Sequence, residues 1–317
     1  MQVNELFRQS NTILLDGGMG TMLQAAGLKL GARPEELNIT DPALIEGIHG
    51  QYAAAGSRIV NANTFGASAH KLAGSAYTLE QVITAGIENC KRACAPYGAL
   101  TALDVGPLGE LLEPSGTLAF EDAVAEYARI VKAGEAAGAD LIFFETYTDL
   151  YELKAALLAA KENTHLPILA SMSFEAGGRT FTGCTVESFA ATARGLGADA
   201  VGINCSLGPK EIFPMAKRLA EAVPGNFPVF VKPNAGLPRA DGSGYDITPQ
   251  LFALQMKPYR ELHLFAAGGC CGTTPEFIKL LNGTFAGCTP GRPAHRMPSV
   301  LCTPVDTVTV DGITVVG

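Results

Sequence analysis

The residues with the clearest chemical potential are two adjacent cysteines, Cys270 and Cys271. They lie in a segment that begins at Gly268 and reads Gly-Gly-Cys-Cys-Gly-Thr-Thr-Pro. An apolar run precedes them, and the Thr-Thr-Pro that follows is a favourable helix start. Both thiols are therefore expected at the C-terminal end of a strand, where the loop to the next helix begins.

A third thiol occurs in a similar setting. Cys205 follows a short apolar run and precedes Ser-Leu-Gly-Pro, which also favours a helix start. Zinc favours sulfur ligands, and a site with three protein ligands keeps a fourth position for a substrate. The alternatives are buried reduced thiols or a disulfide between the adjacent pair. A glycine-flanked pair with a third thiol at an equivalent position favours one metal site, with Cys205, Cys270 and Cys271 as ligands.

The composition excludes several classes of partner. The chain has 317 residues, is 47% apolar and carries a net charge of −8, which allows a large core in one barrel or two ordinary domains. The absence of a basic cluster disfavours nucleic acid and anionic membranes as partners. Residues 1–9 lack an apolar signal core and no run approaches the length of a membrane span, so the eight cysteines are expected to be reduced thiols of a cytoplasmic protein.

Eight short, β-rich apolar runs alternate with stretches of helical periodicity. Strands are expected at residues 12–16, 58–63, 100–105, 141–145, 167–172, 200–204, 229–233 and 264–267. Helices are expected at residues 42–55, 79–95, 120–137, 150–161, 187–196, 209–222, 249–256 and 275–281. Such alternation is typical of a parallel sheet covered by helices, and eight units predict an α/β fold of the (β/α)8 TIM-barrel type in a single domain.

An open, doubly wound sheet is the alternative fold. Its usual nucleotide fingerprint would follow the first strand, but the segment that begins at Asp16 reads Asp-Gly-Gly-Met-Gly-Thr and lacks the G-x-G-x-x-G spacing. Dinucleotide binding is therefore disfavoured. We expect the barrel to occupy residues 1–300, with residues 301–317 as a tail or a linker toward a following domain.

Polar side chains stand at the expected strand ends in nearly every unit, and in barrel enzymes the chemistry lies at these positions. They are Asp16; Asn61, Asn63 and Thr64; Asp104; Glu145; Asn204 and Cys205; Asn234; and Cys270 with Cys271. Polar residues also end strands as turn formers or helix caps, which is the alternative for Asp104 and Asn61. Glu145 follows four apolar residues, so its carboxyl group must meet a partner or face a cavity. The pattern predicts an enzyme.

Motifs at these positions resemble the homocysteine S-methyltransferase family over about residues 11–283. The matching segments are 15–21, 61–65, 106–109, 144–146, 202–205, 232–236 and 268–272. The combination of Asn204-Cys205 with Gly-Gly-Cys-Cys is the most specific part. The resemblance implies a zinc-dependent (β/α)8 barrel that transfers a methyl group to the sulfur of homocysteine, forming methionine.

The resemblance also implies roles for individual residues. Cys205, Cys270 and Cys271 would hold Zn²⁺ as the catalytic centre, and the homocysteine thiol would take the open position and lose its proton. The remaining cysteines are expected to be structural: Cys90, Cys94, Cys184, Cys288 and Cys302.

The amino-acid end of homocysteine needs separate anchors. By resemblance, Glu145 would meet the ammonium group, with Asp16 as its partner. The carboxylate would suit backbone N–H groups of the turn from Gly17 to Thr21 at a helix start. The expected substrate-binding residues are Asp16, Gly17, Gly18, Thr64, Glu145 and Asn234. Asn234 is also a candidate for the open zinc position when substrate is absent, and Asn204 is expected to support the site without binding the metal.

The sequence says less about the methyl donor than about the methyl acceptor. The alternating, β-prone tail at residues 305–317 resembles the lead-in to the pterin-binding barrel of cobalamin-dependent family members. This favours an N-terminal fragment whose methylcobalamin is carried by another domain or protein, beside pterin-binding and cobalamin-binding domains. A frayed terminus is the other interpretation of the tail.

Two alternative functions remain at this stage. One is a stand-alone enzyme that uses S-methylmethionine or S-adenosylmethionine as the methyl donor. The other is a non-catalytic zinc barrel that docks a corrinoid protein, for which a closed four-ligand metal site would be expected.

Overall fold

The computed structural model describes residues 11–29, 31–239, 244–293 and 297–310. Eight parallel strands form a closed barrel in sequence order, and β8 pairs back to β1. The strands are β1 (Ile13–Leu15), β2 (Ser57–Asn61), β3 (Leu100–Val105), β4 (Leu141–Tyr147), β5 (Ile168–Met172), β6 (Ala200–Asn204), β7 (Val229–Lys232) and β8 (Ala266–Ala267). The predicted (β/α)8 barrel is therefore confirmed, and the open sheet is not formed.

Helices connect the strands and cover the outside of the barrel. They are α1 (Met19–Ala25), α2 (Leu37–Thr40), α3 (Pro42–Ala54), α4 (Leu79–Cys94), α5 (Phe120–Ala136), α6 (Leu150–Asn163), α7 (Val186–Gly195), α8 (Pro209–Glu221), α9 (Pro249–Met256) and α10 (Pro275–Phe285). The eight helices predicted from apolar periodicity correspond to α3 to α10. The short helices α1 and α2 have 7 and 4 residues, which is too few to show a clear period.

Side-chain caps fix the start of several helices. Thr78 and Gln81 form a reciprocal capping box at α4. Thr185 and Thr248 each accept a hydrogen bond from the amide three residues later, at the starts of α7 and α9. Within the described ranges, no helix combines the length and apolar character needed to cross a membrane.

Apolar side chains fill the barrel below its C-terminal end. The interior cluster includes Phe143 of β4 and Phe230 of β7, whose rings meet edge to face with centroids 5.0 Å apart. A second, larger cluster lies between the strands and the helices. Because the interior is packed, polar chemistry is confined to the C-terminal strand ends and the loops that follow them.

A two-stranded antiparallel hairpin follows the barrel. It consists of β9 (Ser299–Cys302) and β10 (Thr307–Val310). Its turn attaches to the start of α7, where the Thr185 amide donates to the Pro304 carbonyl at 3.2 Å. The β-prone pattern of the tail is confirmed at β10. The predicted boundary at residue 300 falls within β9, and residues 311–317 of the tail lie outside the described residues.

Gly202 in β6 is a point where the packed interior tolerates no added atom. A β-carbon at this position would lie 2.3 Å from the buried ring of Phe230. Because the barrel interior is close-packed, we expect Gly202→Ala to lower the free energy of unfolding by about 1–3 kcal/mol, measured by urea denaturation. Gly195→Ala is the control, since a β-carbon at the end of α7 meets open space. A similar loss in both variants would contradict the packing explanation.

Candidate active site

Three thiols converge at the C-terminal end of the barrel. Cys205 follows β6, and Cys270 and Cys271 follow β8. The Sγ atoms of Cys205 and Cys271 lie 3.8 Å apart, and all three Sγ atoms lie within 4.8 Å of one another. Elsewhere in the described ranges, no other group of three or more histidines, cysteines or acids is placed to share a metal ion. This set is called the cysteine cluster below.

The spacing of the cysteine cluster fits a metal ion bound through sulfur. Zn–S bonds of about 2.3 Å in tetrahedral geometry place two sulfurs about 3.8 Å apart. Cys270 is buried, while Cys205 and Cys271 are half-buried, so the cluster faces outward on one side. The other cysteines lie outside it. Cys90 and Cys94 contact each other at 3.8 Å in the core, which confirms their predicted structural role.

Hydrogen bonds among the three thiols shift their pKa values in opposite directions. The contacts from Cys205 and then Cys270 lower the pKa of Cys271 to about 3. Hydrogen bonds to Cys205 and Cys271, together with burial, raise the pKa of Cys270 well above its usual value. Hydrogen bonding within the cluster therefore favours ionisation of Cys271 and disfavours that of Cys270. A divalent cation bound by three thiolates would release the remaining protons.

Two asparagines hold the cysteine cluster in place. The Cys271 amide donates to Asn234 Oδ1 at 3.1 Å. Asn204 Oδ1 accepts from the Thr146 amide at 2.9 Å and from Ser171 Oγ at 2.8 Å, and Asn204 Nδ2 lies 3.8 Å from Cys270 Sγ. Asn204 therefore has the supporting position predicted for it. Asn234 contacts the cysteine loop rather than lining the cavity described below, and its contact with substrate stays a prediction.

Left-handed backbone at two strand ends orients the site residues. Thr146, Cys205 and Ser206 have φ angles of 67°, 63° and 61°. Such conformations cost about 1–3 kcal/mol each in non-glycine residues and gather at functional sites. The β4–β5 register also shifts between Phe144 and Tyr147, as in a β-bulge. Glu145 lies two residues after the interior residue Phe143 in β4, on the same face of the strand, and lines the cavity at the barrel mouth.

Glu145 and Asp16 meet there around a buried lysine. Lys232, the last residue of β7, places its Nζ 3.0 Å from Asp16 Oδ1 and 3.0 Å from Glu145 Oε2. The same atom lies 5.0 Å from the centre of the Phe143 ring, and the lysine side chain is only 2% exposed. Asn61 adds two bonds, from its amide N to Asp16 Oδ2 at 2.7 Å and from Nδ2 to Glu145 Oε2 at 3.3 Å. Asp16, Glu145 and Lys232 are called the charge network below.

The electrostatics keep the lysine charged. Burial alone would lower the pKa of Lys232, but the carboxylates of Asp16 and Glu145 raise it well above its ordinary value. Burial raises the pKa of both acids, and the lysine ammonium opposes that rise. Asp104 extends the acidic surface. Burial and then the Glu145 carboxylate raise its pKa well above the ordinary value.

One cavity of about 320 Å³ joins the cysteine cluster to the charge network. Gly17 and Gly18 line it, and a β-carbon on Gly18 would lie 2.8 Å from the Cys270 carbonyl; their contact with substrate stays a prediction. The Gly18 amide donates to Thr273 Oγ1 at 3.2 Å. The amides that follow open α1 and, as first-turn N–H groups, have no helical partner. They are therefore available to an anion in the cavity.

Thr64 does not line this cavity. Its Oγ1 donates to the Asp104 carbonyl at 2.8 Å and accepts from the Asp104 amide at 3.1 Å. It therefore holds the end of β3, and its predicted contact with substrate stays a prediction.

Several cavity residues received no role from the sequence. Besides Lys232 they include Glu35, Phe65 and Tyr245. Apart from Lys232 they lie in connections, where neither period of apolar residues applies. Lys232 itself had a detectable pattern, because a lysine that ends a strand of three buried apolar residues requires a buried anion.

The sequence places the chain among known proteins. The model of one family, described as homocysteine S-methyltransferase, matches residues 13–285. A curated protein named methionine synthase from Mycobacterium tuberculosis is 32% identical over 309 residues, covering 90% of this chain and 26% of the relative. A protein of the same name from Mycobacterium leprae is 33% identical over 301 residues, covering 87% of this chain and 24% of the relative. The chain thus spans about a quarter of the length of these relatives.

The fold is also found in solved structures. The oxidized form of the homocysteine methyltransferase MmuM from Escherichia coli superposes with a TM-score of 0.76 at 23% identity, covering 89% of this chain and 98% of MmuM. The metallated form of MmuM gives a TM-score of 0.73 at 24% identity, covering 89% of this chain and 99% of MmuM. Since the family match extends from β1 to α10 and includes both cysteine-bearing strand ends, this chain belongs to the homocysteine S-methyltransferase family.

Proposed function

We propose that this chain transfers a methyl group to the sulfur of homocysteine, forming methionine, with Zn²⁺ held by Cys205, Cys270 and Cys271. One observation carries the proposal: a single cavity has the cysteine cluster on one side and the charge network on the other. A thiol-bearing amino acid presents sulfur at one end and an ammonium with a carboxylate at the other. Family membership and the name of the curated relatives support homocysteine as the acceptor.

Bound to three thiolates, zinc would keep the substrate thiol deprotonated and nucleophilic near neutral pH. The chain's own residues then set the orientation of the amino acid. Glu145, with Asp16 beside it, accepts hydrogen bonds from the substrate ammonium, and the Lys232 ammonium opposes the rise that burial causes in the pKa of both acids. The substrate carboxylate meets the first-turn amides of α1. The Phe143 ring lies 5.0 Å from Lys232 Nζ and belongs to the apolar cluster that fills the barrel interior below the charge network.

Thr64 and Asn234 act indirectly in this proposal. Thr64 fixes the backbone of Asp104, and Asn234 fixes the backbone of Cys271. Each is a positioning residue for a side chain that faces the substrate.

We further propose methylcobalamin as the methyl donor, carried by a cobalamin-binding domain that lies, with a pterin-binding domain, in the same or a partner chain of a cytoplasmic enzyme. The support is that the curated relatives are named methionine synthase and are about four times as long as the matched region. Residues 301–317 would then lead toward the next domain. Three free thiols suit a reducing compartment.

A methyl-transfer assay tests the proposal. Reduced, zinc-loaded protein is given homocysteine with methylcobalamin, S-methylmethionine or S-adenosylmethionine in separate reactions, and methionine is quantified. We expect methionine from methylcobalamin only. Methionine from either of the other donors would overturn the donor assignment and support a stand-alone enzyme. Zinc binding without homocysteine binding, and without product from any donor, would overturn the function and favour a barrel that docks a corrinoid protein.

A further inference from the structure

Asp104 is an acid at the cavity with a carboxyl oxygen that no contact in the described part of the site accounts for. It is the next-to-last residue of β3, lines the cavity and is 7% exposed. Both its backbone N–H and carbonyl bond to Thr64 Oγ1, so its position is fixed. Yet its Oδ1 atom is buried and has no hydrogen-bond partner among the described residues. A buried carboxyl oxygen without a partner costs stability, and such groups point to function.

The acidic groups around Asp104 outnumber the cations that are free to bond to them. On the β2 side, the Asn61 side-chain amide donates to Glu145 Oε2 at 3.3 Å, and its proximity opposes the rise that burial causes in the pKa of Asp104. On the β7 side, the Lys232 ammonium already bonds to Asp16 and Glu145. Lys71 also attracts Asp104, but its ammonium donates to the Pro107 carbonyl at 2.6 Å. Two carboxyl groups, those of Asp16 and Glu145, therefore bond to the ammonium of Lys232, and the third, Asp104, has an oxygen to spare.

A ligand that carries its own ammonium would complete this arrangement. An ammonium has three N–H donors, so two carboxylates can bind it together. Asp104 and Glu145 lie on adjacent strands, since Asp104 pairs in register with Phe143, two residues before Glu145. Burial and the neighbouring Glu145 raise the pKa of Asp104 in the free protein, and a cation beside it would favour its ionised form.

We propose that Asp104 is a specificity-determining residue whose carboxylate, together with that of Glu145, binds the α-ammonium of the thiol substrate. The site therefore accepts amino-acid thiols and discriminates against thiols that lack the amino group. This inference rests on the proposed function and extends it from the reaction to the choice of substrate. It also explains why an unpartnered carboxyl group is kept in a buried position.

Binding measurements with two thiols test the inference. L-Homocysteine and 4-mercaptobutanoate differ only in the amino group, and both are titrated calorimetrically into zinc-loaded protein. Asp104→Asn keeps the shape of the side chain and removes its charge. We expect it to weaken homocysteine binding about tenfold, as for the loss of a charge-assisted hydrogen bond. Binding of 4-mercaptobutanoate should change by less than about twofold. Asp104→Ser should give the same pattern.

The controls separate this role from a structural one. Asp140→Asn makes the same change at the other end of the barrel, where Asp140 Oδ2 accepts from the Thr101 amide at 2.8 Å, and should alter neither affinity. The thermal midpoint of Asp104→Asn should equal or exceed that of the wild type, because an uncompensated buried carboxyl group is removed. Unchanged homocysteine binding, or an equal loss for both thiols, would overturn the inference while leaving the proposed function standing. Failure of the wild type to bind either thiol would overturn both.

Discussion

Replacing Cys271 with alanine is expected to remove zinc binding and methyl transfer together. Two sulfurs would remain of the three that lie close enough together to hold one ion. Loss of even an outer partner of a metal ligand costs about 10–100-fold in affinity or activity, so loss of a ligand should exceed that range. Zinc retained per chain after dialysis against a chelator, measured by mass spectrometry, reports the metal separately from methionine formation.

The chain offers a matched control for this experiment. Cys302→Ala removes an exposed thiol in β9, outside the cysteine cluster, whose Sγ lies 3.4 Å from Thr192 Oγ1. It should keep both the zinc content and the rate of the wild type. Cys270→Ala should behave like Cys271→Ala. If Cys271→Ala holds zinc as tightly as the control and still forms methionine, the assignment of the cluster as the metal centre is wrong.

The convergence of these thiols was predictable from the sequence because of a property of parallel barrels. All strands end at the same rim, so residues that follow different strands meet in space. Cys205 ends the sixth apolar run, and Cys270 with Cys271 ends the eighth. The same reasoning brought Asp16 and Glu145 to one cavity, as the first and fourth strand ends.

The direction of each side chain beyond the strand end was not predictable. Alternation along a strand stops where the backbone leaves the β region, as it does at Thr146 and Cys205. A rim residue can then face the cavity, as Glu145 does, or bond to a neighbouring backbone, as Thr64 and Asn234 do. Ion-pair partners also depend on the closed ring of strands. Lys232 lies 216 residues from Asp16 in the chain, and no local pattern connects the two.

Lys232→Met is expected to lower the free energy of unfolding by about 3–5 kcal/mol at neutral pH and to weaken homocysteine binding. Methionine retains an unbranched side chain that can pack against Phe143, so the main change is the loss of charge. Asp16 and Glu145 then remain in a buried site without their counter-ion. Urea denaturation and calorimetric titration with homocysteine measure the two effects.

The pH dependence of the stability lost in Lys232→Met identifies the cause of that loss. Burial already raises the pKa of Asp16 and Glu145, and removal of the opposing lysine raises both further. The folded variant therefore keeps protons that the unfolded chain releases above about pH 4, the usual pKa range of free carboxyl groups. When the folded state binds more protons, stability falls as pH rises. The deficit relative to wild type should accordingly be larger at pH 8 than at pH 5.

A second substitution tests whether the loss of stability in Lys232→Met comes from the unbalanced carboxylate charge. Lys232→Met with Asp16→Asn removes one of the two carboxylates that had bonded to the lysine, and the other, Glu145, keeps the Asn61 side-chain amide as a donor, so about half of the lost stability should return. Adding Asp140→Asn instead should return nothing, because that acid lies at the opposite end of the barrel. An equal deficit at both pH values, with no recovery from Asp16→Asn, would mean that Lys232 contributes through packing of its stem. Recovery confined to Asp16→Asn would show that the lysine is the resident counter-ion that lets two acids stay ionised where the substrate ammonium binds.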